Sequence, residues 1–282
     1  MGPDALTRFA PAPTGWLHLG HVLNAEYVWG SGARVLLRIE DHDRERCRPE
    51  YEAGILEDLD WLGYAAAPFG QAAFVRQSER GVIYRDAVGV LVAQGLVYAC
   101  DCTRREIEAQ DATARGGPGE GVAELRYTGR CRDRGLPLTG GAGWRVRMDP
   151  GVETFADGIL GLQSQDPAGQ CGDVLIRDRL GNWTYQFAAS VDDYRQGIDL
   201  VIRGEDLLPS TGRQIRIARL LGREQPATFH HHPLLMKSAT QKLSKSDGDT
   251  GIRDLRARGW TPEQVKASLV RWRPPSGARP SG

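Results

Sequence analysis

The chain is 282 residues long, with 36 basic and 36 acidic side chains and a formal net charge of zero. That balance excludes a general affinity for polyanions, so any nucleic acid must meet a local basic face. No apolar run of about 18 residues suggests a membrane span, no basic-then-apolar leader opens the chain, and five cysteines, an odd number, do not suggest a secreted disulfide framework. A soluble cytoplasmic protein is expected. The length suits one large domain or a domain with an insertion, and no internal repeat is present.

Residues 6–10 form an apolar-aromatic segment that reads as a first strand. The chain then turns through Pro11, Pro13 and Gly15 and delivers His18-Leu19-Gly20-His21 onto a helix predicted over 22–29. Gly20 lets a ligand approach the backbone closely. The helix N-terminus offers free N–H groups to a phosphate, and two histidines add donors. A strand-turn-helix with two surface histidines explains the same residues. Residues 34–39 read as a buried strand, with Glu40-Asp41 at its C-terminal end, where open α/β sheets place ligand-binding residues. Pro49 starts a helix that puts Tyr51, Ile55, Leu59 and Leu62 on one face and stops at Gly63. Another helix covers 79–93, and 96–99 returns as a strand. This alternation predicts a mostly parallel sheet.

Residues 100–143 break the pattern. They are turn-rich, with Gly116-Gly117-Pro118-Gly119 in the middle, and Thr103 with Glu106 predicts a capping box on a short helix. We read an inserted subdomain. Cys100 and Cys102 open it and Cys131 follows, whereas Cys47 and Cys171 are isolated. Three cysteines bracketing a loop suggest zinc more than a disulfide, with Tyr127 as an available oxygen donor. The other reading is three reduced thiols in a flexible insertion. A metal would supply stability that so little apolar material cannot.

From Asp173 the alternation resumes. Residues 174–176 and 183–185 flank a Gly181-Asn182 turn and read as a hairpin. Asp192-Asp193 reads as a solvated turn or helix cap. A strand at 198–202 leads to Arg203-Gly204-Glu205-Asp206, and Ser210 caps a helix that runs through Leu221 to Gly222. A strand over 229–235 carries His230-His231-His232, whose side chains alternate between faces and so do not converge on a metal. We place them at a strand edge near a nucleotide. Lys242-Leu243-Ser244-Lys245-Ser246 follows: its lysines can clamp the outer phosphates of a nucleotide, or form a solvated basic loop. Short helices are predicted over 250–257 and 262–270, the second started by Thr261-Pro262. The arginines of 213–219 could line a nucleic-acid surface or an exposed helix face.

Arg8, Glu40, Tyr185 and Arg203 each sit at the edge of a predicted strand. An anionic amino acid needs cations for its carboxylates, which arginine meets with bidentate geometry, and an acceptor such as Glu40 for its ammonium. Taken singly, each of the four reads as a surface salt-bridge or rim residue.

HLGH and KLSKS, in that order, resemble the HIGH and KMSKS motifs of class I aminoacyl-tRNA synthetases. Thr7-Arg8-Phe9-Ala10-Pro11, Arg38-Ile39-Glu40-Asp41 and Val201-Ile202-Arg203-Gly204-Glu205-Asp206 extend the likeness to the glutamyl branch over nearly the whole chain. That branch carries a large anticodon-binding region after KMSKS, whereas 36 residues follow Ser246 here. A catalytic half with a CxC…YxxxC insertion is similar to the glutamyl-queuosine tRNA(Asp) synthetase family. The resemblance implies an α/β, Rossmann-like class I catalytic domain in two halves, 1–99 and 191–248. A zinc-binding insertion at 100–143, part of a larger insertion to about 190, separates them. A short helical region at 249–273 and a disordered tail at 274–282 complete the expected organisation.

The resemblance also implies the chemistry. L-glutamate would be activated with Mg²⁺-ATP without tRNA and transferred to queuosine in the anticodon of tRNA(Asp). Arg8, Glu40, Tyr185 and Arg203 would bind glutamate. His18, Gly20, His21 and Lys245 would bind ATP, with His18, His21, Lys242 and Lys245 acting in catalysis. Cys100, Cys102, Tyr127 and Cys131 would hold one structural zinc. Ala12 stands where the family usually has a small hydroxyl residue, and the segment from Cys102 to Tyr127 is long for the family. A monomer is expected. The competing readings are a truncated glutamyl-tRNA synthetase charging tRNA(Glu), a small-molecule nucleotidyl transferase or ligase, and a non-enzymatic binding protein.

Overall fold

The computed structural model describes residues 5–114, 124–236 and 251–272. Its first strand, β1 (Leu6–Phe9), buries Thr7, Arg8 and Phe9, and helix α1 (Leu19–Gly30) follows it. Strand β2 (Arg34–Ile39) is buried along all but its first residue, the pattern of a strand covered on both faces. Helix α2 (Pro49–Trp61) begins with proline in its first turn, where the missing N–H is not needed. Next come β3 (Val75–Arg76), a 3₁₀ turn over Gln77–Glu79, α3 (Gly81–Ala93), β4 (Val97–Cys100) and α4 (Arg104–Ala114). Glu106 accepts from the amide and hydroxyl of Thr103, which forms the expected capping box on α4.

Strand β5 (Gly143–Val146), the hairpin of β6 (Glu153–Asp157) and β7 (Gly161–Gln165), the short α5 (Pro167–Gln170) and β8 (Val174–Arg177) come next. The second half then supplies α6 (Tyr185–Arg195), β9 (Leu200–Gly204), α7 (Thr211–Leu220) and β10 (Thr228–His232). Helices α8 (Ile252–Ala257) and α9 (Pro262–Ser268), the latter with a Thr261–Gln264 capping box, and a 3₁₀ turn over Leu269–Trp272 close the described chain.

Seven strands form one sheet in the order β3-β2-β1-β9-β10-β6-β7, parallel throughout except for the antiparallel β6–β7 pair. The mostly parallel sheet expected from the alternation is present. Strand β1 lies between β2, from the first half, and β9, from the second. Successive strands therefore leave β1 in opposite directions, and open α/β sheets bind ligands at such a switch point, beyond the strands' carboxyl ends.

Three local expectations are corrected. The strand at 96–99 joins not the parallel sheet but a separate antiparallel one, β4-β5-β8, because an apolar run specifies a strand without choosing its partner. The predicted strand at 183–185 stops at Thr184. The turn forms, with Asp178 N–H bonded to the Asn182 carbonyl at 2.9 Å, but Phe187, Ala188 and Val191 have helical spacing and bury their side chains as α6. Finally, β10 lies between β9 and β6, so its histidines are on an interior strand. It ends at His232 because Pro233 has no N–H to continue a ladder.

The α7 arginines are paired within the chain and do not form a bare helix face. Arg213 pairs with Glu124, and Arg216 and Arg219 with Glu153. Among the described residues no helix is long and apolar enough to cross a membrane.

Candidate active site

The turn before α1 is seated by Trp16. Its ring meets Tyr51 edge-on at 5.0 Å and carries Arg253 of α8 over it at 4.6 Å. The ring lies so close to α2 that a Cβ on Gly54 would fall 2.3 Å from it. From there the chain enters α1 at Leu19, three residues earlier than its apolar pattern suggests, because His18 is the N-cap. The two histidines cap reciprocally. His18 Nδ1 accepts from Gly20 N–H at 3.0 Å, and His21 Nδ1 accepts from His18 N–H at 3.1 Å. An Nδ1 that accepts carries no proton, so each neutral ring has its N–H on Nε2. Glycine at 20 is needed for this cap: a Cβ there would lie 2.8 Å from His18 Cε1.

A cavity of about 510 Å³ opens at the switch point. It is lined by His18, Gly20 and His21 from the turn, Arg8 from β1, Glu40 beyond β2, Tyr185 at the start of α6, and Arg203 at the end of β9. All four proposed amino-acid ligands thus share one space with the HLGH turn. Three of them are not rim residues: Arg8, Glu40 and Arg203 are each no more than 6% exposed.

A buried charge network, which sequence reasoning missed, fixes two of these side chains. Asp193 Oδ1 accepts from Arg8 Nε at 3.1 Å and from Arg38 Nη1 at 2.7 Å. Arg38 Nη2 donates to Glu40 Oε1 at 3.0 Å. Neighbouring Asp192 accepts from Arg80 Nε at 2.5 Å, Tyr84 Oη at 2.8 Å and Gln77 Nε2 at 2.9 Å. Asp192-Asp193 is therefore no solvated turn; it is the acidic centre of the interior. Burial pushes the Asp193 carboxyl up, but Arg8 and Arg38 outweigh it and hold the group down at about 2. One signal was legible: Arg38 is a charge inside an otherwise apolar strand, and buried charges require partners.

Arg203 is arranged differently. Its Nε donates to His231 Nε2 at 3.1 Å, Nη1 to Gln214 Oε1 at 2.6 Å and Nη2 to Thr211 Oγ1 at 2.8 Å. Every one of these acceptors is uncharged, and among the described residues no carboxylate lies within ion-pair distance of Arg203. Burial lowers its pKa, but guanidinium stays protonated in proteins. The cavity thus contains a buried cation without a matching anion. On β10, His231 faces Arg203, while His232 points to the other side, stacks on Tyr27 at 4.7 Å and bonds Asn24. The alternation of faces holds.

Burial, joined by the charge of Arg203, pushes the His231 imidazole down to about 4. Free histidine titrates near 6.5. Between those values the unfolded chain takes up a proton that the folded chain refuses. His231 thus contributes stability that is present above about pH 6.5 and lost as pH falls toward 4, with a slope of at most about 1.4 kcal/mol per pH unit. Asp58, raised by burial to about 6, works in the opposite sense in the same window. The two separate by difference: His231→Gln is expected to flatten the fall in urea-unfolding stability between pH 6.5 and 4, and an unchanged slope would remove His231 as its source.

Cys100, Cys102 and Cys131 converge, with their sulfurs within 4.8 Å of one another and all three buried. Cys102 and Cys131 sulfurs are 3.5 Å apart, and Tyr127 Oη lies 3.5 Å from Cys100 Sγ. Tyr127 is seated by its amide, bonded to the Cys171 carbonyl at 2.9 Å, against Gly172, where a Cβ would lie 1.9 Å from the Tyr127 carbonyl oxygen. Arg145 stacks on the ring at 3.8 Å. Three sulfurs and one phenol oxygen at one buried point fit a four-coordinate zinc set.

Lys242 and Lys245 lie outside the described residues, as do residues 274–282. The described chain on either side of the lysines meets the cavity: Leu234 and Leu235 line it, and Gly251 bridges His18 while Ile252 N–H bonds the Leu17 carbonyl at 2.9 Å.

The family model for tRNA synthetases class I (E and Q), catalytic domain, matches residues 4–277. The chain is 38% identical over 277 residues to a glutamyl-Q tRNA(Asp) synthetase of Rhodobacter capsulatus, covering 93% of this chain and 98% of that protein. It is 44% identical over 254 residues to a glutamyl-Q tRNA(Asp) synthetase of Bordetella bronchiseptica, covering 86% and 75%. Among solved structures it is similar to a glutamate tRNA ligase from Elizabethkingia meningosepticum in complex with its amino acid, at 30% identity and a TM-score of 0.72. That match covers 87% of this chain and 53% of the ligase, so the chain spans about half the length of that enzyme.

Proposed function

The chain belongs to the class I tRNA synthetases (E and Q), a family of ligases, and on that premise we propose that it activates L-glutamate with ATP, without needing tRNA, and transfers it to queuosine in the anticodon of tRNA(Asp). The observation that carries the glutamate reading is the buried Arg203 guanidinium, held by neutral groups at the cavity wall. A substrate carboxylate is the anion it lacks. The queuosine acceptor is supported by the names of two relatives matched over 98% and 75% of their lengths.

The residues divide the work. Arg203 holds the side-chain carboxylate of glutamate, Arg8 and Tyr185 shape the same pocket, and Glu40 accepts from the ammonium. The α-carboxylate then attacks the α-phosphorus of Mg²⁺-ATP in line, and pyrophosphate leaves. Orientation supplies much of the rate and charge stabilisation most of the rest. The Nε2–H donors of His18 and His21 meet charge developing at the α-phosphate, while Lys242 and Lys245 hold the departing phosphates. The glutamyl-adenylate finally acylates a hydroxyl of the queuosine ring.

Lys245→Ala is expected to slow glutamate-dependent ATP–pyrophosphate exchange about 100-fold, the cost of one lost phosphate contact worth about 3 kcal/mol. Thermal unfolding should be unchanged. Full exchange in this variant would remove the loop from the mechanism.

Zinc bound by Cys100, Cys102, Cys131 and Tyr127 supplies folding energy, since four protein ligands leave no open position for chemistry. Elemental analysis should find one zinc per chain, and chelation should lower Tm. A zinc-free protein with the same Tm and three reactive thiols would return the cluster to ordinary buried cysteines.

The acceptor is tested by charging with radiolabelled glutamate, on tRNA from cells that make queuosine and from cells that cannot. Label confined to the queuosine-containing pool is expected. Equal label on both pools would point to tRNA(Glu).

A further inference from the structure

One of the three neutral acceptors around Arg203 is itself held by a carboxylate. Each ring nitrogen of His231 faces one charged group with a single hydrogen-bonding role. Nδ1 lies 2.5 Å from Asp157 Oδ2, and a carboxylate only accepts. Nε2 lies 3.1 Å from Arg203 Nε, and a guanidinium only donates. The neutral ring with its proton on Nδ1 satisfies both. The other tautomer and the imidazolium each set one N–H against another. Thr211 serves either tautomer, because a hydroxyl can donate or accept. Its Oγ1 accepts from Arg203 Nη2 at 2.8 Å and lies 3.1 Å from His231 Nε2, to which its proton can go. All four side chains are at most 4% exposed.

We propose that Asp157 and His231 are positioning residues for the substrate carboxylate: Asp157 selects the Nδ1–H tautomer of His231, whose Nε2 lone pair aims the Arg203 guanidinium into the cavity without neutralising it. A carboxylate placed directly on Arg203 would hold it as firmly but would cancel the charge that the substrate meets. Setting the carboxylate one imidazole further away fixes the orientation and keeps the field. The sheet makes this possible. Strands β9, β10 and β6 are consecutive and parallel, His231 is in register with Arg203, and Asp157 closes β6 beside Phe229. This inference deepens the glutamate reading and rests on it.

The test is Asp157→Asn. Asp157 Oδ1 also accepts from Ile159 and Leu160 N–H at 2.9 and 2.8 Å, and the asparagine carbonyl can keep both bonds, whereas the bond from His231 backbone N–H to Oδ2 at 3.2 Å is lost. The asparagine amide N–H then faces Nδ1 and moves the ring proton to Nε2, against Arg203. The glutamate KM of pyrophosphate exchange is expected to rise about tenfold or more, with ATP KM and kcat at saturating glutamate within about threefold of wild type. A glutamate KM within about twofold of wild type overturns the proposal. A second measurement needs neither the folding of Asp157→Asn nor any substrate: the ¹⁵N shifts of the His231 ring in the wild-type protein, assigned by their loss in His231→Gln. A protonated Nδ1 with a bare Nε2 is expected, and a protonated Nε2 overturns the relay. Exchange by the wild type that ignores glutamate would sink the glutamate reading instead, with the ring tautomer still deciding the relay.

Discussion

Arg203→Ala is expected to raise the glutamate requirement of ATP–pyrophosphate exchange by about 1,000-fold in kcat/KM, while the ATP requirement moves by less than about threefold. The magnitude follows from what is removed. A desolvated, charge-assisted and bidentate-capable donor is worth about 4 kcal/mol against a carboxylate left buried without a partner, and about 1.4 kcal/mol is a factor of ten. The asymmetry follows from position: Arg203 lies near the end of β9, whereas the donors proposed to meet the phosphates come from the His18–His21 turn. Steady-state exchange with each substrate varied in turn decides it. Equal losses for glutamate and ATP would mean that Arg203 supports the whole cavity and does not read the amino acid. Circular dichroism of the variant controls for misfolding, since Gln214, Thr211 and His231 lose a common donor.

Asp193→Ala is expected to cost about 3–5 kcal/mol of folding stability, because breaking a buried ion pair by removing one partner leaves uncompensated charge. Here one carboxylate serves two guanidinium groups. Arg38 is 0% and Arg8 4% exposed, so neither can turn to water without opening the sheet. The pH dependence has a definite sign. Asp193 is held at about 2 in the folded chain and near 3.9 when unfolded, so its contribution is present above about pH 4 and lost as pH falls toward 2. Urea unfolding of wild type and Asp193→Ala at pH 7 and pH 3 measures both effects. A difference below about 1 kcal/mol at pH 7 would show that Arg8 and Arg38 do not depend on this acid. Because Arg8 and, through Arg38, Glu40 are aimed by the same carboxylate, the milder Asp193→Asn should weaken glutamate binding even where it folds.

Much of the site was legible because its signals are local. Gly20 and the paired histidines occupy four consecutive positions. Arg8, Glu40 and Arg203 sit at predicted strand ends, and it is the family resemblance that marks them as ligands. The cysteine cluster was readable up to its geometry. Spacing offered three sulfurs and a tyrosine, and the fold brings the sulfurs to one buried point with Tyr127 Oη 3.5 Å from Cys100 Sγ. Tyr185, expected at a strand edge, instead opens a helix and lines the cavity. Asp192-Asp193 was misread because two adjacent acids look solvated until their partners are known.

The sequence by itself determined the motifs and many of the elements, though not α6 or the β6–β7 hairpin. Periodicity, caps and prolines act over a few residues, and so do the turn that carries His18 and His21 and the strand ends that carry Arg8 and Arg203. Only the tertiary structure decided where the charges are answered. Asp193 meets Arg38 across 155 positions of chain and Arg8 across 185, and His231 meets Asp157 across 74. It also decided that β4 leaves the main sheet and that β10 is interior. Electrostatic and hydrogen-bond energies depend on distance in space and on burial, and neither quantity exists for a side chain until strands far apart in sequence have been laid side by side.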